Sequence, residues 1–549
     1  VSFVAHRHLL ATSFVGLNSF FKMKRMLLIA VLAAGLHTAN AQGLTGFSIS
    51  LEEVNISGLP ALQSYAWAKT TDGKWLLLCG RTDGLHDHRP PFSFPSAQAN
   101  DDIWVVDPNT KQVWSAPINA LPIGLKNALT ATNAQFQQEG DVLYIVGGYG
   151  VDFGDNQHKT YSYVTSVDVT PLANAIINNQ TIVPHFKQIT DSRMKVTGGY
   201  MSYLNNQFYL VCGQTFDGRY NPHNGGSFTQ TYTESIKKFN LTTSGGTLSI
   251  TNYTETIDAA NLHRRDYNMV EQIFPNGDTG LTVFSGVFQP VLDIPHFNTV
   301  DVTPAGHTVR SGFNQLLNQY HTAHMPAYDA ANNLMHTLFF GGIGMYHFDA
   351  GNNLVGDSLV PFVKTISMVT RFGNDSMVEY ALPIQMPGYL GASAEFIPSD
   401  SVSLLANSIV DLNDSNGKIL AGYIVGGIQS TDPNIFMFAS SGTSAATNRV
   451  FKVYLQPGSF GFSENALTAP FHFHVYPNPT RGNVTLELDG KNLLIEVLDL
   501  GGEVLQSIAI DDARDGKKIQ LSLEDEPAGV YLIRISSANF TRVEQVVKN

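Results

Sequence analysis

Apolar and polar positions alternate in short runs along most of the chain, and the runs come in sets. A run such as "LYIV" (143–146) or "FYLV" (208–211) ends abruptly in a small residue and a glycine. A second alternating run follows after a polar insertion of variable length, as in "DIWVVD" (102–107) or "VTSVDV" (164–169). A third apolar run precedes each set, and a fourth closes most of them, as in "QVWSAP" (112–117). Period-two alternation bounded by Asn, Asp and Gly turns predicts β-strands, because successive side chains of a strand face opposite sides.

Aligned on the glycine that ends the second run, the sets share Gly80, Gly148, Gly213, Gly286, Gly342 and Gly427. The residue before each is small: Cys79, Gly147, Cys212, Ser285, Gly341 and Gly426. A Gly-Gly after an apolar run also suits a phosphate loop, but that needs a following helix and a Lys-Ser/Thr pair. In "DVLYIVGGYG" (141–150) a Tyr and a polar insertion follow instead. Six such units predict an all-β fold, a six-bladed β-propeller. The sixth unit lacks its own last strand, since "RVFKVYLQPG" (449–458) runs into a linker. Phe47 to Val54, "FSISLEEV", is expected to supply it and close the ring beside Arg449 to Leu455.

Composition agrees with strands and turns rather than helices: 48 of 549 residues are Gly and only 14% are charged. The formal charge of −13 leaves no basic stripe for phosphates, which excludes nucleic acid as a partner. The two cysteines, Cys79 and Cys212, occupy the small-residue slot of units one and three, so they read as buried packing and not as a disulfide. "MKRMLLIAVLAAGLHTANAQG" (23–43) has the charged end, short apolar stretch and Ala-Asn-Ala site of a signal peptide, expected at 23–41. Residues 1–22 read as an overextended start. The mature chain is expected to carry no transmembrane segment.

The Gly-Gly marks and the four-strand order resemble kelch-type, galactose-oxidase-like propellers, with the propeller at 42–460 and a linker at 461–470. The Tyr and Trp usual later in kelch repeats are paired only in "IWVVDPNTKQVW" (103–114), and the units are longer than ~50 residues. The tail, 471–549, changes texture to alternating strands between Pro-Asn, Asp-Gly and Gly-Gly turns, which predicts a small Ig-like β-sandwich. "YPNP" (476–479), "VLDLGGEVL" (497–505), "PAGVYLIRI" (527–535) and "VEQVVK" (543–548) closely resemble the type A C-terminal sorting domain of type IX secretion cargo in Bacteroidota. The residues carrying that resemblance are Tyr476, Pro477, Asn478, Pro479, Gly501, Gly502, Pro527, Gly529, Tyr531 and Lys548. It implies the type IX machinery as a partner and a secreted or outer-membrane-attached location, reached through the periplasm.

Candidate chemistry concentrates where the loops gather at one mouth of the channel. Arg81 follows the first glycine mark, "LHRRDYN" supplies His263, Arg264, Arg265 and Asp266, and "YHTAHM" supplies His321 and His324. Arginines at a mouth suit a carboxylate, although inter-blade salt bridges use the same residues. His321 and His324, three apart on an extended segment, point to opposite faces and form no metal site. Kelch-type copper oxidases need a Cys-linked Tyr, and both cysteines here read as packed, so no cofactor or metal is expected. The leading expectation is a propeller that binds an extracellular glycan or protein. A sugar-acting enzyme resembling the kelch-type mutarotases and a purely structural surface protein are the alternatives.

Overall fold

A computed structural model describes residues 45–549 except 223–225, 227, 291–292, 407, 415–416, 436–441, 460–465, 468–470, 501 and 538–539. The expected signal peptide and the segment before it lie outside the described residues.

Each sequence unit folds around four antiparallel strands. The first comprises Ala66–Lys69, Trp75–Leu78, Asp102–Asp107 and Gln112–Pro117, hydrogen-bonded in that order. Sheets two to five repeat this order over 135–190, 200–257, 268–310 and 324–385. Sheet six is built from Glu395–Pro398, Ile419–Val425 and Val450–Ser459. Its fourth strand is Thr45–Val54, antiparallel to Val450–Ser459, with Leu51 opposite Val453 and Val54 opposite Val450. Arg449 clamps the end of this pairing with a bidentate ion pair to Glu53, 2.7 Å at both contacts.

The glycine marks are where neighbouring sheets touch. The Gly80 N–H donates to the Ala131 carbonyl, Gly148 to Val196, Gly213 to Arg264, Gly342 to Leu390 and Gly427 to Leu62, all at 2.8 Å. Each bond reaches the sheet that follows, and the one from Gly427 returns to the first. Between sheets four and five the Ser285 hydroxyl performs the same task on the Asn318 carbonyl at 2.9 Å. The contacts run full circle, as a propeller-like arrangement requires. All six marks adopt positive φ, and at Gly148 a Cβ would lie 2.7 Å from the Ala131 Cβ and 2.9 Å from that of Ala134. The turn and the close approach together demand glycine.

Apolar cores fill the wedges between sheets. One packs Met325, Leu338, Ile366, Phe396, Ile424 and Phe451 between sheets five and six; another packs Leu76, Leu78, Val105, Leu143 and Val167 between sheets one and two. Two short helices, Ile123–Leu129 and Val169–Ile177, cover that second core, and the strand pattern did not anticipate them. Leu172, Ala173 and Ile176 turn one apolar face of Val169–Ile177 inward. Between sheets four and five, buried Arg371 donates to Asp301 at 2.6 and 2.9 Å, and Thr282 adds 2.6 Å. Both cysteines are free and buried.

The tail is a five-stranded antiparallel sheet of His472–Tyr476, Asn483–Leu498, Gly529–Ser537, Phe540–Lys548 and Val504–Ser522. Its two long strands slip register at Gly490, where a Cβ would lie 2.5 Å from that of Phe471. The sheet curls there around Leu486, Ile495, Leu521, Ile533 and Val546. The segment expected as a plain linker includes a short strand, Ala466–Leu467, that pairs with Met377–Gln385 of sheet five.

Candidate functional site

The residue that leads into each sheet faces the channel. Ser64, Asn133, Gly198, Asp266, His321 and Ser393 occupy equivalent places and all adopt left-handed φ, between 44° and 65°. Their peptides link sheet to sheet: Ser64 N–H donates to Ser393 O at 3.1 Å, Gly198 to Asn133 at 3.1 Å, Asp266 to Gly198 at 2.8 Å and Ser393 to His321 at 2.7 Å. This ring is the waist of the channel, and a cavity opens on either side.

The larger upper cavity, about 520 Å³, lies on the side of the long loops. Three of those loops lock one another. The Tyr149 hydroxyl donates to Gly218 O at 2.8 Å, Arg219 Nε to Ser93 O at 2.8 Å, and the Ser93 hydroxyl to Tyr220 O at 2.7 Å. Tyr149–Val151, His158–Thr160, Gln214–Gly218 and Phe228–Tyr232 form an additional small sheet. These insertions are therefore ordered over their described residues. An aromatic wall results. His86 stacks on Phe94 with centroids 4.5 Å apart and meets the Tyr220 edge at 4.8 Å, while Phe216 stacks on Phe228 at 4.8 Å. Tyr320, Phe288, Val360 and Ile428 line the far side.

Polar side chains share the lining with the aromatics, Gln63, Thr132, Gln214, Gln230 and Asp293 among them. Arg265, Asp266 and His321 all line this cavity. Arg265 is already committed: it pairs with Asp266, donates to the Tyr232 hydroxyl at 3.2 Å and packs over the Phe288 ring. The cavity thus offers no bare guanidinium. Burial, with a smaller push from His88, pulls His86 down to about 4, and burial also lowers His321. Both imidazoles are neutral at ordinary extracellular pH and can exchange hydrogen bonds with hydroxyls.

The other candidates go elsewhere. Arg81, expected at the mouth, sits behind the aromatic wall, bidentate to Asp83 at 2.7 and 2.6 Å with its guanidinium over Phe94. Arg264 is fully buried and spends its donors on Asn261 O, Ser285 O, Asn298 O and Asn298 Oδ1 at 2.7–2.9 Å. Its neighbour in sequence faces the channel because extended residues alternate sides. His263 pairs with Glu234 at 2.6 Å and stacks on Tyr232 at 3.7 Å, under the floor. His324 lines the lower cavity, on the other side of the waist from His321. Sequence reasoning missed His86, Phe94, Tyr149 and Tyr220 as wall residues. The only signal was aromatic and His richness of the insertions after the first three marks. Among the described residues no three His, Cys, Asp or Glu side chains group to hold a metal.

The tail motifs act as fasteners. Asn478 Nδ2 donates to Gln545 O at 2.6 Å and its Oδ1 accepts from Val547 N–H at 2.9 Å, so "YPNP" grips the last strand. Tyr476 donates to Glu487 at 2.7 Å and Tyr531 to Pro527 O at 2.6 Å. The buried Lys548 ammonium is held by the carbonyls of Leu523 at 2.6 Å, Glu524 at 2.8 Å and Glu526. Gly502 takes a left-handed turn, and Gly501 lies outside the described residues.

No curated protein matches the sequence. Among solved structures, one described as "Structure of YjhT" aligns with a TM-score of 0.41 at 12% identity, over 73% of this chain and all of that one. A fungal alcohol oxidase of the AA5 family, in complex with copper, aligns with a TM-score of 0.37 at 10% identity, over 92% of this chain and all of that one. No described helix is long and apolar enough to cross a membrane. Residues 474–549 match the family described as "Secretion system C-terminal sorting domain", which makes this chain a secretion cargo that is released or held at the cell surface.

Proposed function

We propose that this is a six-bladed, kelch-like propeller followed by an Ig-like sorting tail, exported by type IX secretion after removal of a signal peptide at 23–41, and that its upper channel mouth binds a neutral extracellular carbohydrate. The observation that carries the binding reading is the upper cavity itself: about 520 Å³, walled by His86, Phe94, Tyr149, Phe216 and Tyr220, with imidazoles, amides and hydroxyls as polar groups beside the Arg265–Asp266 pair and Asp293. Flat aromatic faces suit the C–H faces of a sugar ring, and the polar groups between them fix its hydroxyls. The Arg265–Asp266 pair argues for a neutral sugar over an anionic one, since a carboxylate would have to displace Asp266. The test is a glycan array probed with the chain from Gln42. Retention of neutral glycans, lost in Tyr220→Ala, supports the reading; retention of peptide ligands with no glycan bound rejects it.

A second reading rests on Arg265, Asp266 and His321 facing one cavity. A neutral imidazole beside a carboxylate is equipped to move a proton. Under this reading the protein interconverts the anomers of its bound sugar, and exchange spectroscopy by NMR would show a rate lost in His321→Ala.

A further inference from the structure

Below the waist the channel has a different chemistry. A chamber of about 30 Å³ is lined by Asn133, Gln135, Asp266, Tyr200 and Glu395, and it opens into a lower cavity of about 500 Å³ that shares Phe136, Tyr200, Met201 and Glu395 with it. The small chamber holds one or two groups the size of a water molecule.

Its walls are rich in acceptors. Gln135 is 2% exposed, and its Nε2 donates to the Asn133 carbonyl at 2.6 Å, which fixes the orientation of the amide; its Oε1 is buried without a partner. Asn133 Nδ2 leans on Asp266 Oδ1 at 3.4 Å, and its Oδ1 is likewise buried without a partner. Glu395 accepts from Trp67 Nε1 at 3.2 Å through Oε2, while Oε1 receives no hydrogen bond from the described chain; burial raises this carboxyl to about 8, so it becomes a charged acceptor as an arriving cation displaces its proton. Buried acceptors left without donors destabilise the fold, so this arrangement calls for a ligand that brings donors. The lower cavity adds charge and aromatic faces. Glu139, Glu271 and Glu395 line it, and its one lysine, Lys69, is committed to Asp400 and the Pro398 carbonyl. Trp67 and Phe136 meet edge to face at 6.4 Å, and Tyr200 lies beside His324.

We infer that the lower mouth and waist form a second binding site, for a primary ammonium group on an apolar stem. The ammonium enters the small chamber and donates to Gln135 Oε1, Asn133 Oδ1 and Glu395 Oε1. The stem lies on Trp67, Phe136 and Tyr200, where cation–π attraction adds to burial. A guanidinium is too broad for the chamber. A lysyl side chain carries this chemistry and is met outside the cell on peptides and proteins.

The test uses the whole chain from Gln42 and isothermal titration with n-butylammonium chloride against a matched sodium chloride blank. A saturable isotherm is expected, at least fivefold tighter than for tetramethylammonium, which has the charge but no N–H, or for butan-1-ol, which lacks the charge. Glu395→Gln and Gln135→Leu, checked for an unchanged unfolding midpoint, are each expected to weaken binding about tenfold. Nα-acetyl-lysine amide is expected to bind like butylammonium, and glucosamine, whose ammonium sits on a hydroxylated ring, to bind more weakly; tighter binding of glucosamine overturns the apolar-stem assignment. No saturable heat from butylammonium, or equal affinity for tetramethylammonium, overturns the proposal, and neither result needs a variant to fold.

Discussion

At the scale of single residues, the most constrained positions are the glycine marks. Gly148→Ala combines a left-handed backbone with a Cβ driven into Ala131 and Ala134. It is expected to cost ~2–4 kcal/mol of stability in urea titration. Gly140→Ala, also at positive φ but with open space around it, is expected to cost only about 1 kcal/mol. Burial pulls the pH response in two directions: His86, His324 and His336, each lowered to about 4, favour the fold as pH rises, whereas the carboxyls of Glu379 and Glu395 favour it as pH falls. Burial raises Glu379 to about 8, against the pull of the Leu316 and Leu317 N–H groups, and raises Glu395 to about 8, against that of Trp67. A carboxyl whose folded value lies above its unfolded one binds more protons when folded. Its contribution is therefore full at low pH and is lost as pH climbs from the ordinary carboxylate range to about 8. In chemical denaturation at pH 5 and 8.5, wild type is expected to lose more stability, or gain less, on going to 8.5 than Glu379→Gln does. The glycine pattern made these marks legible from sequence. The fate of Arg264 and Arg265 was not legible, because adjacent residues on one extended segment face opposite sides and only the register decides which meets the channel.

At the scale of elements, the strands were the most legible part. Runs such as "DIWVVD" and "QVWSAP" became the strands Asp102–Asp107 and Gln112–Pro117 with the same bounds. The partner of Thr45–Val54 was also legible, because the sixth unit was one strand short. The helix Val169–Ile177 was not, since its first residues, "VT", continue the alternation of the strand before it. The loops of the upper cavity were hidden for another reason. Their order comes from contacts between sheets one, two and three, such as Arg219 to Ser93, which no local pattern encodes. Adjacent sheets four and five share the buried pair of Arg371 and Asp301. Arg371→Ala would strand that carboxylate against Arg310 alone and is expected to cost about 3–5 kcal/mol, read from the shift in the unfolding midpoint. In the tail, Lys548→Ala frees three carbonyls at once. It is expected to raise the susceptibility of the tail to limited proteolysis without moving the unfolding midpoint of the sheets at 45–459.

At the scale of the whole molecule, the chain joins a propeller-like body to a sorting tail, and the two ends of the body are chemically distinct. One mouth is aromatic with neutral imidazoles and a self-compensated ion pair. The other is acidic, acceptor-rich and narrow. Deleting 471–549 is expected to abolish appearance at the cell surface while leaving the body folded, and surface labelling of intact cells checks this. Whether the upper mouth is a carbohydrate site is decided by titrating the best neutral glycan from an array into wild type and Tyr220→Ala. Saturable binding at one site per chain is expected, weakened at least tenfold in the variant with the fold intact; equal affinity in the two proteins would rule out the carbohydrate site.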